Sequence, residues 1–421
     1  MTATPTLPAE TTKPARYVAR SGETWRDPWP MYAALRDEDP VHLVEPGDGG
    51  GATNRHWVLS RFDDVWSAAR DTATFSSADG LTTVPGEREA IGLDATAPIV
   101  MLDPPEHTAF RRLVSAGFTP RRVASIEDDV RAFVVERLDA LRGAGTVDVV
   151  AELLKPLPSM VVAHYLGVPA EDRARFDVWT EAIVEANAQG DVGMAAERLG
   201  ELLGYFGELI ERRRADAGDA EPDDMIAALV RAGADGRTAD GADVPLLEVL
   251  GFAFTMVAGG NDTTTGLLGV SAELLTRYPD ERRRLLDDPA LVGPAVDELL
   301  RLSSPVQGLA RTTTVDVDVR GRIIPAGEKV LLLYGSANRD PREFGDAAAE
   351  LDVGRGPARI MTFSYGAHHC LGAAAARLQG RVVLEELLAR CPDFVVDADA
   401  GEFADGNYVR RYRSLPFRAE G

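Results

Sequence analysis

The chain has 421 residues, 45% hydrophobic and 27% charged, which excludes a disordered chain and supplies apolar mass for a large core. Its 67 acidic residues against 45 basic ones leave a formal charge of −22, so nucleic acid and anionic membrane are not expected partners. The two cysteines, Cys370 and Cys391, exclude a disulfide framework.

Residues 1–24 are polar and rich in Pro and Thr, and read as a loosely held arm. The start carries no basic n-region and no apolar stretch, so a cytoplasmic protein without a membrane anchor is expected. Asp27-Pro-Trp-Pro opens a helix. Val41–Val44 and His56–Ser60 form two strands around the turn-rich segment Pro46–Asn54. Phe62 to Arg70 has helical spacing. The stretch 76–100 is irregular, with scattered Leu81, Val84, Ile91 and Leu93, and loops of that length are often binding elements. Asp103-Pro-Pro starts a further helix with Asp103 as N-cap, on which His107 and Arg111, four apart, share a face.

Helical patterning continues from about 122 to 240, with a helix and then a loop over 180–200. The longest apolar block runs from Pro245 to Pro279, and Asp262 is its single charge between Val249 and Val270. By length it could span a membrane. Its five glycines, its threonines and the lack of a basic flank favour a long central helix inside a core instead. Asp262 there carries a desolvation cost unless it is paired or used. Gly259-Gly260 weakens the helix just before it, so the backbone can bulge and free a carbonyl. Glu298 and Arg301 sit at i, i+3 on a helix. Thr312–Val319 alternates, Arg320-Gly321 turns, Lys329–Leu333 is a strand, and Tyr408–Pro416 reads as a terminal hairpin.

The stretch Phe363-Ser-Tyr-Gly366-Ala-His368-His-Cys370-Leu-Gly372 places one cysteine at the start of a helix. Unpaired N–H groups and the helix dipole there lower a thiol pKa and favour a metal-binding thiolate. Gly366 and Gly372 let the backbone approach a bulky planar group. Two other readings are a buried core cysteine and a zinc site of His368, His369 and Cys370. Adjacent residues rarely aim at one metal, and no CxxC or HxxxH partner occurs elsewhere.

The pattern Phe-x-x-Gly-x-His-x-Cys-x-Gly resembles the haem-binding loop of the cytochrome P-450 family, the haem-thiolate monooxygenases. That resemblance implies a mainly α fold with a small β portion, one domain over 25–421 with a long central helix, and haem b as cofactor. Cys370 would ligate the iron, with Phe363 shielding the sulfur and Gly366 and Gly372 shaping the loop. His107, Arg111, Arg311 and His368 would hold the propionates. Asp262 and Thr263, in Ala258-Gly-Gly-Asn-Asp-Thr-Thr, resemble the family's proton-delivering pair. Glu298, Arg301 and Arg355 would form a buried network, although Leu351 stands where the family often has an aromatic. Leu81, Val84, Ile91, Val257, Ala258, Val306 and Leu309 would line an apolar substrate pocket together with Gln307, under a lid near 180–200. The implied reaction inserts one atom of O2 into a hydrophobic small molecule, with electrons from ferredoxin and ferredoxin reductase. An acidic ferredoxin would dock on a patch of Arg112, Arg359 and Arg377. A peroxide-driven peroxygenase, a non-catalytic haem sensor or carrier, and a haem-free helical scaffold are the alternatives.

Overall fold

The computed structural model describes residues 15–48, 53–90, 97–189, 196–215, 224–234 and 246–420. Its axis is the helix Leu246–Arg277, 32 residues long and so roughly 48 Å from end to end. A fresh helix beginning at Pro279 follows directly, because proline cannot supply the N–H that would continue the ladder. Val249, Phe252, Ala253, Val257, Leu267, Leu268 and Leu275 are all buried, and each such aliphatic side chain contributes about 1.5–3 kcal/mol. They pack against helices Pro156–Tyr165, Arg173–Gln189, Val292–Ser303 and Ala373–Arg390. The helix is continuous across Gly259-Gly260, so the expected bulge does not interrupt it. No helix among the described residues is long and apolar enough to cross a membrane.

A five-stranded sheet lies beside the helices, in the order Val41–Val44, His56–Leu59, Lys329–Leu332, Leu309–Thr313, Phe75–Ser76. The first pair is the expected hairpin. His56–Leu59 and Lys329–Leu332 are both buried along their whole length and pair in parallel, as strands covered on both faces do. Lys329 is tolerated there because its ammonium meets Asp79 at 2.9 Å.

Three local expectations give way to long-range contacts. The terminal hairpin does not form: Tyr412–Ser414 pairs with Glu402–Phe403, and Pro416–Arg418 sits between Val147–Asp148 and Val395–Val396. Asp103 does not cap its helix with its side chain. It accepts from the hydroxyl of Ser76 and the N–H of Ser77, tying the helix Glu106–Ser115 to the loop after Phe75–Ser76. Of the expected arm, residues 1–14 lie outside the described residues; from Ala15 on the chain is packed, with Ala15 and Tyr17 against Tyr32, Leu35 and Val58. The expected lid region holds the helices Arg173–Gln189 and Ala196–Ala215, and their junction also lies outside the described residues.

Candidate functional site

The Cys370 loop is closed by its own backbone: Cys370 N–H donates to Phe363 O at 2.8 Å and His369 N–H to Gly366 O at 3.1 Å. Gly366 has φ +74, and a Cβ there would lie 3.1 Å from Arg70 Cα and 3.2 Å from Ala69 O. Its positive φ and its packing on the helix Phe62–Arg70 both call for glycine. A Cβ on Gly372 would meet only Cys370 Sγ, at an ordinary 4.0 Å. Phe363 is buried beside the loop, with the Arg377 guanidinium over its ring at 4.7 Å.

Cys370 is exposed, yet protein crowds its thiol and strips it of water. That desolvation raises the thiol pKa; the Gly372 N–H, Arg111 and Arg377 oppose it without reversing it. The lowering expected from the helix start alone is corrected: the helix Ala373–Arg390 supplies a favourable N–H, but loss of water outweighs it.

Four nitrogen-bearing side chains converge on this loop. Arg111 donates to Ala367 O at 3.1 Å and His369 O at 2.5 Å. The His107 and His368 rings lie 4.3 Å apart, and His368 Nε2 is 3.2 Å from Ser77 Oγ. Burial, then Arg311, His107 and Arg111, push the His368 pKa down to about 3. His107 is lowered too, by burial and by Arg111. Both rings are thus neutral hydrogen-bonding groups. Arg311 is 2% exposed, and among its described contacts the side chain donates only to Ala310 O, at 2.7 Å. Buried cations are normally paired. Asp103, the carboxylate whose field reaches His107, is already engaged by Ser76 and Ser77, and among the described residues His107 Nδ1 is buried with no partner. A guanidinium with no carboxylate among its described contacts and an orphaned imidazole nitrogen, both close to His368 on the loop that carries exposed Cys370, fit a dianionic macrocycle with a thiolate-ligated metal.

On the central helix the chemistry-bearing residues are otherwise engaged. Asp262 Oδ1 accepts from Arg411 Nε at 2.7 Å, both side chains being nearly buried. Burial raises the Asp262 pKa, and Arg411 and then Lys155 pull against it. The Thr263 hydroxyl donates to Gly259 O at 2.8 Å. Gly259 is exposed within this otherwise buried stretch, and a Cβ there would meet nothing within 4 Å. Arg411 escaped the sequence reading. Its signal was an Arg-Arg pair inside the apolar-flanked Tyr408-Val-Arg-Arg-Tyr412.

The structure brings Glu298, Arg301 and Arg355 together. Arg301 and Glu298 are both 0% exposed and doubly bonded, at 2.7 Å each, and Arg355 Nε reaches Glu298 Oε1 at 3.1 Å. Of the pocket residues, Leu81, Ala258, Val306 and Leu309 are partly buried. Val257 is 0% exposed in the main core. Gln307 is also buried, donating to Ser304 O at 2.6 Å. Val257 and Gln307 are sealed from solvent and reach no pocket surface, while Val84 is 44% exposed. Ile91 lies outside the described residues. In the expected docking patch Arg112 is exposed, while Arg359 pairs with Glu343 at 2.6 Å and Arg377 with Asp297 at 2.8 Å.

A cytochrome P450 family profile matches residues 57–399. Cytochrome P450 130 of Mycobacterium tuberculosis is 60% identical over 399 residues, covering 94% of this chain and 96% of that protein. Vitamin D(3) 25-hydroxylase of Pseudonocardia autotrophica is 36% identical over 400 residues, covering 94% of each. Among solved structures, Mycobacterium marinum cytochrome P450 CYP268A2 in complex with pseudoionone superposes with a TM-score of 0.83 at 31% identity, covering 97% of this chain and 100% of that one. Profile, relatives and fold agree with the thiol and its nitrogen cluster: the chain belongs to the cytochrome P450 family of haem-iron monooxygenases.

Proposed function

We propose that this monooxygenase binds haem b through Cys370 and oxidises a hydrophobic small molecule of natural-product, terpenoid or steroid type, by hydroxylation or epoxidation. The observation that carries the reading is exposed Cys370 on a loop whose His368 feels buried Arg311, a guanidinium with no carboxylate among its described contacts. Bound haem supplies the oxidising chemistry, and thiolate ligation favours O–O cleavage. Arg311 and Arg111 offer charge to the propionates, and neutral His107 and His368 offer hydrogen bonds. Phe363, with the Arg377 guanidinium over its ring, would shield one side of the sulfur. Thr263 is one side-chain rotation from turning its hydroxyl away from Gly259 O, and Asp262, its pKa raised, can hold and pass a proton once Arg411 yields. The hydrophobic substrate class is supported by the partly buried Leu81, Ala258, Val306 and Leu309, and by relatives named for vitamin D(3) and solved with pseudoionone. Electrons would come in the cytoplasm from a ferredoxin and its reductase, with Arg112 the member of the patch that has no ion pair among the described residues.

One arrangement favours a second reading. With Asp262 held by Arg411 and Thr263 bonded to its own helix, peroxide-driven turnover, which needs no proton relay, is the competing route. The purified, reduced holoenzyme under carbon monoxide is expected to show the red-shifted band of thiolate ligation, and Cys370→Ala to lose both band and turnover. An unshifted band, or an active alanine variant, would refute the assignment. Turnover with peroxide alone at the rate seen with reductant and O2 would select the second reading.

A further inference from the structure

The loop that carries Leu81 is not held by apolar packing alone. One oxygen, Glu87 Oε2, accepts three hydrogen bonds: from Leu81 N–H at 2.8 Å, Thr82 N–H at 2.7 Å and Thr82 Oγ1 at 2.9 Å. Gly80, at φ +101, runs so close beneath it that a Cβ would fall 2.3 Å from the same oxygen. The carbonyl of Leu81 in turn accepts from Ala310 N–H at 2.7 Å. Ala310 is the neighbour of Leu309 and Arg311 on the strand Leu309–Thr313. The same two ends of the loop are joined a second time by Gly86 N–H on Asp79 Oδ1 at 3.0 Å, and Lys329 Nζ holds Asp79 O at 2.7 Å.

We propose that Glu87 is a specificity-determining positioning residue: its carboxylate fixes Leu81 against Ala310, and so sets the wall that bulky apolar substrates meet. The proposal rests on the haem reading above for what lies inside that wall. A carboxylate suits the task because one oxygen can accept several N–H and O–H bonds at once. A three-pronged clamp on two successive residues removes the freedom that a loop otherwise has. Glu87 itself does not touch the reacting atoms.

The test uses the holoenzyme and two variants that reach the clamp from opposite sides. Glu87→Ala removes the acceptor, and Gly80→Ala leaves Glu87 in the sequence but drives a methyl group into its oxygen. In both, amide exchange at Leu81, Thr82 and Ala310 is expected to quicken about tenfold or more, while amides of the helix Glu106–Ser115 stay as protected as before. Titration with 4-phenylimidazole, an apolar azole, should weaken by about tenfold, while titration with imidazole, which is too small to meet the loop, stays within about twofold. Glu87→Gln keeps one acceptor oxygen and should fall between. Unchanged exchange overturns the proposal. So does an equal loss of both azoles, or a wild-type protein that binds the two equally well. If imidazole fails to perturb the absorbance of the wild-type protein, the haem assignment falls instead, and the exchange data alone judge the clamp.

Discussion

Arg301 and Arg311 lie on consecutive elements, the helix Val292–Ser303 and the strand Leu309–Thr313, and both are almost fully buried, at 0% and 2% exposure. Arg301 is surrounded by acceptors: both oxygens of Glu298, Asn338 O at 2.7 Å and Ala348 O at 2.6 Å. Arg311 has a neighbouring carbonyl and no carboxylate among its described contacts. A buried cation costs several kcal/mol unless it is matched. The first is matched within the chain and is architecture. The second has no such match among the described residues, and in the function proposed above a propionate would supply it, so that affinity for a ligand is stored in the fold.

The contrast can be broken at its strong end by Glu298→Gln. That change strands Arg301 in a water-free core and loosens the half-buried Arg355, so a loss of about 3–5 kcal/mol is expected from denaturant unfolding. A loss under about 1 kcal/mol would mean that the network is not the matched pair described. Arg311→Met should behave in the opposite way. Without a partner to orphan, the haem-free fold is expected to keep its stability or gain about 1 kcal/mol, while haem affinity falls about 10- to 100-fold. A variant that unfolds but retains haem would reverse the assignment of roles.

A finer test is His368, whose low pKa reflects burial first and Arg311 second. Its folded value, about 3, lies below the ordinary 6.5, so the unfolded chain binds the extra proton between those limits. The stability it confers is fully present above pH 6.5 and drains away as pH falls toward 3. In Arg311→Met the His368 value should move upward and that acid window should narrow. Titration of the imidazole resonances in both proteins reads the shift directly, and identical curves would remove Arg311 from the neighbourhood.

Much of this was legible before any coordinates. The central helix was bracketed by Pro245 and Pro279 and runs from Leu246 to Arg277, because proline ends a helix by local sterics that need no tertiary context. The Cys370 loop and the Glu298–Arg301 spacing were equally local. What failed was set at long range. The partner of Asp262 lies on the C-terminal segment. The strands after Tyr408 pair with Glu402–Phe403, Val147–Asp148 and Val395–Val396 rather than with each other. The face of Val257 was fixed by packing on neighbouring helices. The thiol pKa missed for a related reason: a helix terminus is visible in the sequence, whereas the degree of desolvation is not.

The close seat of Gly366 on Ala69 and Arg70 bears on engineering. A graft that carried only residues 363–372 into another scaffold would bring the cysteine without the backbone it rests on. The transplantable unit is the ligand loop together with the C-terminal turn of the helix Phe62–Arg70, two pieces of chain nearly three hundred residues apart.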